Sequence, residues 1–251
     1  MLWLLLLITV VGASCGFALL LSWTISHGRW NRDNTSDHEQ IGIKIAATFG
    51  LYGIILGFAV VVSQQTYTDA QDSLRAEAGA ANTVVEIAQV LPSAEGQPIL
   101  HSLANFLQAD ISGWDSIIEP STEDTGRSPM EAVFFQIQKL SASPADSAAQ
   151  LSLFTSLSEV SSARTIRFLV AQHSTPVFTW VLLIGGEILV IAMAALLEFD
   201  SRRLRYVLLT GMTGLMTLAL FTIWALSSPY SGPVQISSEP LAHVLASIEL
   251  P

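Results

Sequence analysis

One carboxylate stands where carboxylates are costly. Glu187 lies at the centre of an apolar run and directly follows Gly185-Gly186. On insertion scales an acid at the middle of a membrane helix costs about 3 kcal/mol. Such residues either face a bundle interior or water-filled path, serving an ion or proton route, or sit hydrogen-bonded at a helix contact. Both readings stay open for Glu187.

A second feature is a stripe of small residues: Ala46, Gly50, Gly53 and Gly57. At roughly 100° per residue of helix they fall within about 60° of one another. Small side chains let membrane helices approach closely. The stripe is read as a helix-packing surface. It serves ordinary packing, or it seats the helix tightly while the neighbouring face, with Ile54 and Phe58, lines a constriction.

Other chemistry is thin. There is no phosphate loop, no nucleophile elbow and no HExxH zinc motif. The histidines (His27, His38, His101, His173 and His243) are scattered without metal-ligand spacing. Glu119, Glu123 and Asp124 form an acidic loop that lacks the alternating oxygen ligands and central glycine of an EF-hand, so it reads as a solvated turn. Asn34-Thr35-Ser36 fits a glycosylation sequon of the kind common by chance. Cys15, the only cysteine, excludes an intramolecular disulfide and a CxxC pair. Gly12-Ala13-Ser14-Cys15 loosely resembles a lipoprotein cleavage site. No Lys or Arg precedes it and the apolar run continues to Trp23, so Cys15 reads as a small thiol within a helix. The chain is expected to be no enzyme and to hold no metal or cofactor.

The elements that must position these residues follow from composition. Only 13% of the 251 residues are charged, against roughly 25% in a soluble domain. A bilayer core of about 30 Å needs about 20 apolar helical residues. Four runs qualify: Met1–Trp23, Ile45–Val62, Pro176–Leu197 and Tyr206–Ser227. Trp180 and Trp224 lie near run ends, where interfacial aromatics are favoured. Most of the charge falls between the second and third runs. The net −10 therefore describes a solvated acidic region and argues against a nucleic-acid partner.

Within that region Tyr67, Ala70, Leu74, Ala78, Ala81, Val85 and Ala88 recur at spacings of three and four. The second membrane helix is therefore expected to continue into the insert and end near Pro92. Further helices are expected over Ile99–Ile111, Met130–Leu140 and Ala145–His173, broken at Ser93–Pro98, Glu119–Pro129 and Ser141–Pro144. The fold class is all-α: four transmembrane helices in a two-plus-two arrangement around a soluble helical insert. The divisions are residues 1–64, with helices at about 1–23 and 45–62; the insert, 65–175; residues 176–228, with helices at about 176–197 and 206–227; and a tail, 229–251.

Short-loop cations set orientation. Arg29, Arg32 and Lys44 lie in the first connection and Arg202, Arg203 and Arg205 in the third, while the N-terminal end and the tail after Ser227 carry none. The count places both connections inside, leaving both termini and the insert outside. Arg75, Arg164 and Arg167 on the insert side weaken it.

Several segments resemble the bacterial bestrophin-like family from about His38 onward. They are Leu51-Tyr52 with Ile55 through Val62, then Tyr67, Ala70 and Glu77-Ala78, and Arg164 and Arg167 before the third membrane helix. The tail adds Ser228-Pro229-Tyr230-Ser231-Gly232, Val234, Ile236-Ser237 and Glu239-Pro240. True bestrophins are oligomeric anion channels, usually pentamers, whose neck is lined by apolar residues of the second membrane helix. The resemblance implies a homo-oligomer, small inorganic ions as cargo, and Gly50, Ile54 and Phe58 as neck candidates. A hydrophobic constriction can gate by dewetting.

The chain departs from the pattern in places. The C-terminal acidic calcium clasp of animal bestrophins is absent, Glu239 and Glu249 being the only acids after Ser227. Gly113-Trp114 stands where the bacterial family often has Glu-Trp, and Ser227 or Ser228 where it often has Asp. Bestrophins keep their large domain in the cytosol, opposite to the side the charges indicate. An ionised Glu187 on the pore would repel an anion. The expected function is an oligomeric ion channel in the bilayer. The alternative is a membrane-anchored sensor or interaction protein whose insert binds a partner.

Overall fold

The computed structural model describes residues 2–27, 35–114, 117, 127–140, 144–172, 175–195 and 202–248. Among them are eight helices and no strand: α1 (Leu2–His27), α2 (Thr35–Val90), α3 (Ser93–Ser112), α4 (Arg127–Gln138), α5 (Pro144–Gln172), α6 (Val177–Ala195), α7 (Arg202–Leu226) and α8 (Glu239–Ser247). The cations Arg29 and Arg32, the sequon residue Asn34 and the acidic loop Glu119, Glu123 and Asp124 lie outside the described residues.

The chain divides into two units, the first Met1–Gln65 with Thr175–Ser227 and the second Thr66–Ser174 with Ser228–Pro251. Helix α2 contributes to both. The first unit holds α1, the start of α2, α6 and α7. Three described helices are long and apolar enough to cross a membrane, beginning at Ile45, Val177 and Arg203, and Leu5–Leu20 of α1 is a shorter apolar stretch. Two small apolar clusters hold this unit together. Ala18, Ile191, Ala194 and Leu209 meet beside Phe49, and Leu183, Leu220 and Ile223 pack with Ile55, Leu56, Ala59 and Val60. Ser63 and Ser227 join by a 3.0 Å hydroxyl hydrogen bond.

The second unit has one continuous core. Ala70, Leu74, Ala78, Ala81, Val85 and Ala88, all on the face expected from their spacing, are buried against Ile99, Leu103 and Phe106 of α3 and Leu153 and Leu157 of α5; Tyr67 is partly buried. The tail joins this core through Ile236, Leu241 and Val244.

Two local outcomes differ from the sequence expectation. Helix α3 starts at Ser93, six residues before Ile99, with Pro98 inside it. The Pro92 carbonyl accepts hydrogen bonds from the Glu95 and Gly96 amides at 2.8 and 2.9 Å, which builds the first turn. Pro98 then forfeits one donor early in the helix, a tolerable loss against the apolar face that follows. Gly96 is required here, because a Cβ would clash with the Ala88 carbonyl oxygen. The tail contains a helix not expected from the sequence, α8, with Pro240 in its first turn, where a missing N–H costs least.

Candidate functional site

In the first unit, α2 has two contrasting faces. Ile45, Tyr52 and Ser63 are buried, and Ile55, Leu56, Ala59 and Val60 pack partly buried beside them. The opposite face carries the sequence candidates. Ala46, Gly50, Gly53 and Gly57 are exposed, as are Ile54 at 58% and Phe58 at 68%. A Cβ added at Gly50, Gly53 or Gly57 meets nothing within 4 Å. Among the described residues nothing packs against the three glycines, which leaves this stripe open to close packing by another molecule. Leu51, Val61 and Val62 widen the same exposed apolar surface.

The inner face is anchored to α6. The Tyr52 hydroxyl donates to the Leu183 carbonyl at 2.8 Å, and its ring lies over Gly186 so closely that a Cβ there would come within 2.5 Å of it. The Gly185-Gly186 pair is therefore asymmetric, since Gly185 has open space around it.

Glu187 follows on the buried side, 7% exposed, and accepts a 2.7 Å hydrogen bond from the Thr217 hydroxyl of α7. Thr213, one turn earlier on α7, is buried with no hydrogen-bond partner for its hydroxyl among the described residues. Glu187 is thus held inside the single chain, on the packed side of the unit rather than on the exposed face of α2. Neither threonine was singled out from sequence, because threonine in an apolar helix commonly bonds its own backbone. Ser14 completes the letters G-x-S-x-G from Gly12 to Gly16, but it lies within α1 and not on the strand-to-helix turn that a nucleophile elbow needs. Among the described residues no group of acids, histidines or cysteine could hold a metal ion.

The second unit contains a buried ionic network that spacing alone did not reveal. Arg167 of α5 donates from Nε to Glu77 Oε2 at 2.7 Å and from Nη2 to Glu77 Oε1 at 3.1 Å, and it also binds Asp110 Oδ2 of α3. Arg164 Nε reaches Asp110 Oδ1 at 2.9 Å. Two carboxylates and two guanidinium groups leave the network formally neutral. Burial pushes the Glu77 carboxyl above its usual range, against the pull of Arg167. Burial also acts to lower the Arg167 pKa, but Glu77 and Asp110 outweigh it and hold the guanidinium charged.

Aromatic rings close the network. Arg167 lies 4.7 Å from the Trp114 ring centre, and Arg164 lies 4.7 Å from that of Phe168. Trp114 and Tyr230 meet edge to face at 5.9 Å. Trp114 Nε1 donates to the Ile236 carbonyl at 3.1 Å and Tyr230 Oη to the Ala70 carbonyl at 3.4 Å, which fixes the tail to α2 and to the turn that follows α3. The residues that carried the resemblance, Glu77, Arg164, Arg167 and Tyr230, therefore meet at one place.

A profile of the bestrophin-like domain matches residues 12–241. The chain belongs to the bestrophin-like family, and the resemblance read from α2 and the tail is borne out. No curated protein matches the chain. Three crystal structures of variants of a bacterial bestrophin homolog from Klebsiella pneumoniae are similar to it. Their TM-scores are 0.69, 0.68 and 0.69, with identities of 14%, 15% and 13%. Each match covers 96% of this chain, and 96%, 97% and 97% of the respective structures. At such identities the likeness is one of fold.

Proposed function

We propose that the protein is an oligomeric, bestrophin-like ion channel whose α2 helices surround the pore. The observation that carries this reading is the exposed apolar face of α2, where Gly50 has open space for a side chain among the described residues and Ile54 and Phe58 are 58% and 68% exposed. An apolar helix face that its own fold leaves open is suited to a ring of copies, with bulky residues as a dewetting constriction and glycines allowing close approach. A pentamer follows by analogy with bestrophins.

The same reading makes α1 the fourth membrane helix. Its 26 residues reach about 39 Å at 1.5 Å per residue, enough for a bilayer core. The membrane is then a bacterial inner membrane. The cation bias predicts a periplasmic second unit. In a Cys15→Ser background, Val90→Cys, at a position 87% exposed, should react with an impermeant maleimide added to intact spheroplasts. Labelling only after lysis would put that unit in the cytosol, as in bestrophins.

Purified protein in liposomes should pass small ions, and Phe58→Ala should raise the flux by widening the constriction. A strictly monomeric, ion-tight protein would instead leave the membrane-anchored interaction role. Glu187, packed against Thr217, is a position from which a carboxylate influences α2 through its neighbours without meeting the ion.

A further inference from the structure

The first unit has an apolar groove of about 810 Å³ between α1 and α7. Its walls include Gly16, Leu20 and Trp23 of α1, and Tyr206, Val207 and Gly211 of α7. The helices touch where Cys15 Sγ approaches the Thr210 carbonyl at 3.7 Å. Gly16 and Gly211 are not demanded by packing within the chain, since a Cβ at either meets nothing within 4 Å. Their effect is to keep the groove open.

One end of the groove differs chemically from the other. Trp23 and Tyr206 lie there, residue types that favour the boundary between acyl chains and headgroups. Arg203 precedes Val207 by four residues and Gly211 by eight, so it stands on the same face of α7 at the mouth of the groove. Its side chain is exposed. Arg205 is turned elsewhere, its Nη2 donating to the Ala195 carbonyl at the end of α6. The first turn of α7 adds the positive end of a helix dipole beside Arg203.

We propose that this groove is a site for one anionic phospholipid, with an acyl chain between α1 and α7 and the phosphate at Arg203. A second copy of the chain is the rival occupant. The cation at the mouth favours the lipid, because a basic side chain at a bilayer surface finds an anionic headgroup there. The inference rests on α1 and α7 being membrane helices, which shielding of Ile8→Cys and Leu215→Cys, each in a Cys15→Ser background, from a water-soluble maleimide in native membranes checks independently.

The test is native mass spectrometry of the delipidated full-length protein titrated with phosphatidylglycerol or phosphatidylcholine. Wild type should retain phosphatidylglycerol more tightly. Arg203→Gln should reduce that preference about fivefold, the weight of one basic side chain near an anionic surface. Gly211→Leu should fill the groove and weaken both lipids. Equal retention of the two lipids by wild type would overturn the proposal, as would unchanged phosphatidylglycerol binding in Arg203→Gln, a surface change that does not threaten folding. Loss of oligomers in Gly211→Leu with lipid binding intact would assign the groove to a second copy and likewise overturn it.

Discussion

Arg167 grips Glu77 with two donors, at 2.7 and 3.1 Å, across 90 positions of sequence and with both side chains essentially sealed from solvent. Removing one partner of such a pair strands a buried charge, typically costing about 3–5 kcal/mol. Arg167→Met leaves two carboxylates facing Arg164 alone, and it should lower Tm by on the order of 10 °C. Glu77→Leu combined with Arg167→Met leaves the Asp110–Arg164 pair balanced, so the double variant should melt above the single one. Thermal unfolding in detergent checks the order.

The contact between Tyr52 and Gly186 gives a sharper steric test. Gly186→Ala places a methyl within 2.5 Å of the Tyr52 ring and should destabilise by about 1–3 kcal/mol, the usual cost of overpacking. Gly185→Ala, with open space around it, should be silent. Adding Tyr52→Leu to Gly186→Ala should restore part of the loss. Equal melting of the two alanine variants would contradict the packing.

Glu187 separates charge from hydrogen bonding. Glu187→Gln keeps an oxygen to accept from Thr217, whereas Glu187→Leu removes it. Gln should therefore match wild type in Tm, while Leu should lose about 1 kcal/mol. Liposome flux compared across pH then reports on the carboxylate alone. A wild-type pH dependence that Gln abolishes would tie Glu187 to conduction.

Tyr230 links stability to high pH. Burial raises its pKa from 10.0 to about 12. The neutral phenol is favoured in the folded chain, so its contribution is whole below pH 10 and is lost as pH rises through about 12. Tyr230→Phe should flatten the loss of stability across that window. Fluorescence of Trp114, which touches Tyr230, is the local probe, and coincident profiles for variant and wild type would refute the linkage.

The periodic face of α2 was readable because Ala70 through Ala88 obey one helical spacing within one element. Glu187 was readable because a single acid breaks an apolar run. Their partners were not. Thr217 sits 30 positions from Glu187, and Glu77, Asp110 and Arg167 come from three helices. Sequence spacing carries information about faces of a helix, whereas these contacts depend on how helices cross. The exposure of Gly50, Ile54 and Phe58 was equally hidden, since composition makes a helix apolar without saying which side its own chain covers. Helix α8 is only nine residues long, too short for periodicity to mark it.

The second unit is assembled from two stretches of chain separated by α6 and α7. Leu241, fully buried in its core, is synthesised after both of those helices. During biosynthesis the residues at 66–174 therefore leave the ribosome with an open seam beside Ala70 and Trp114. Two apolar helices must be made before Tyr230 and Ile236 can close it. A chain that ends before Tyr230 lacks the residues that seal this core.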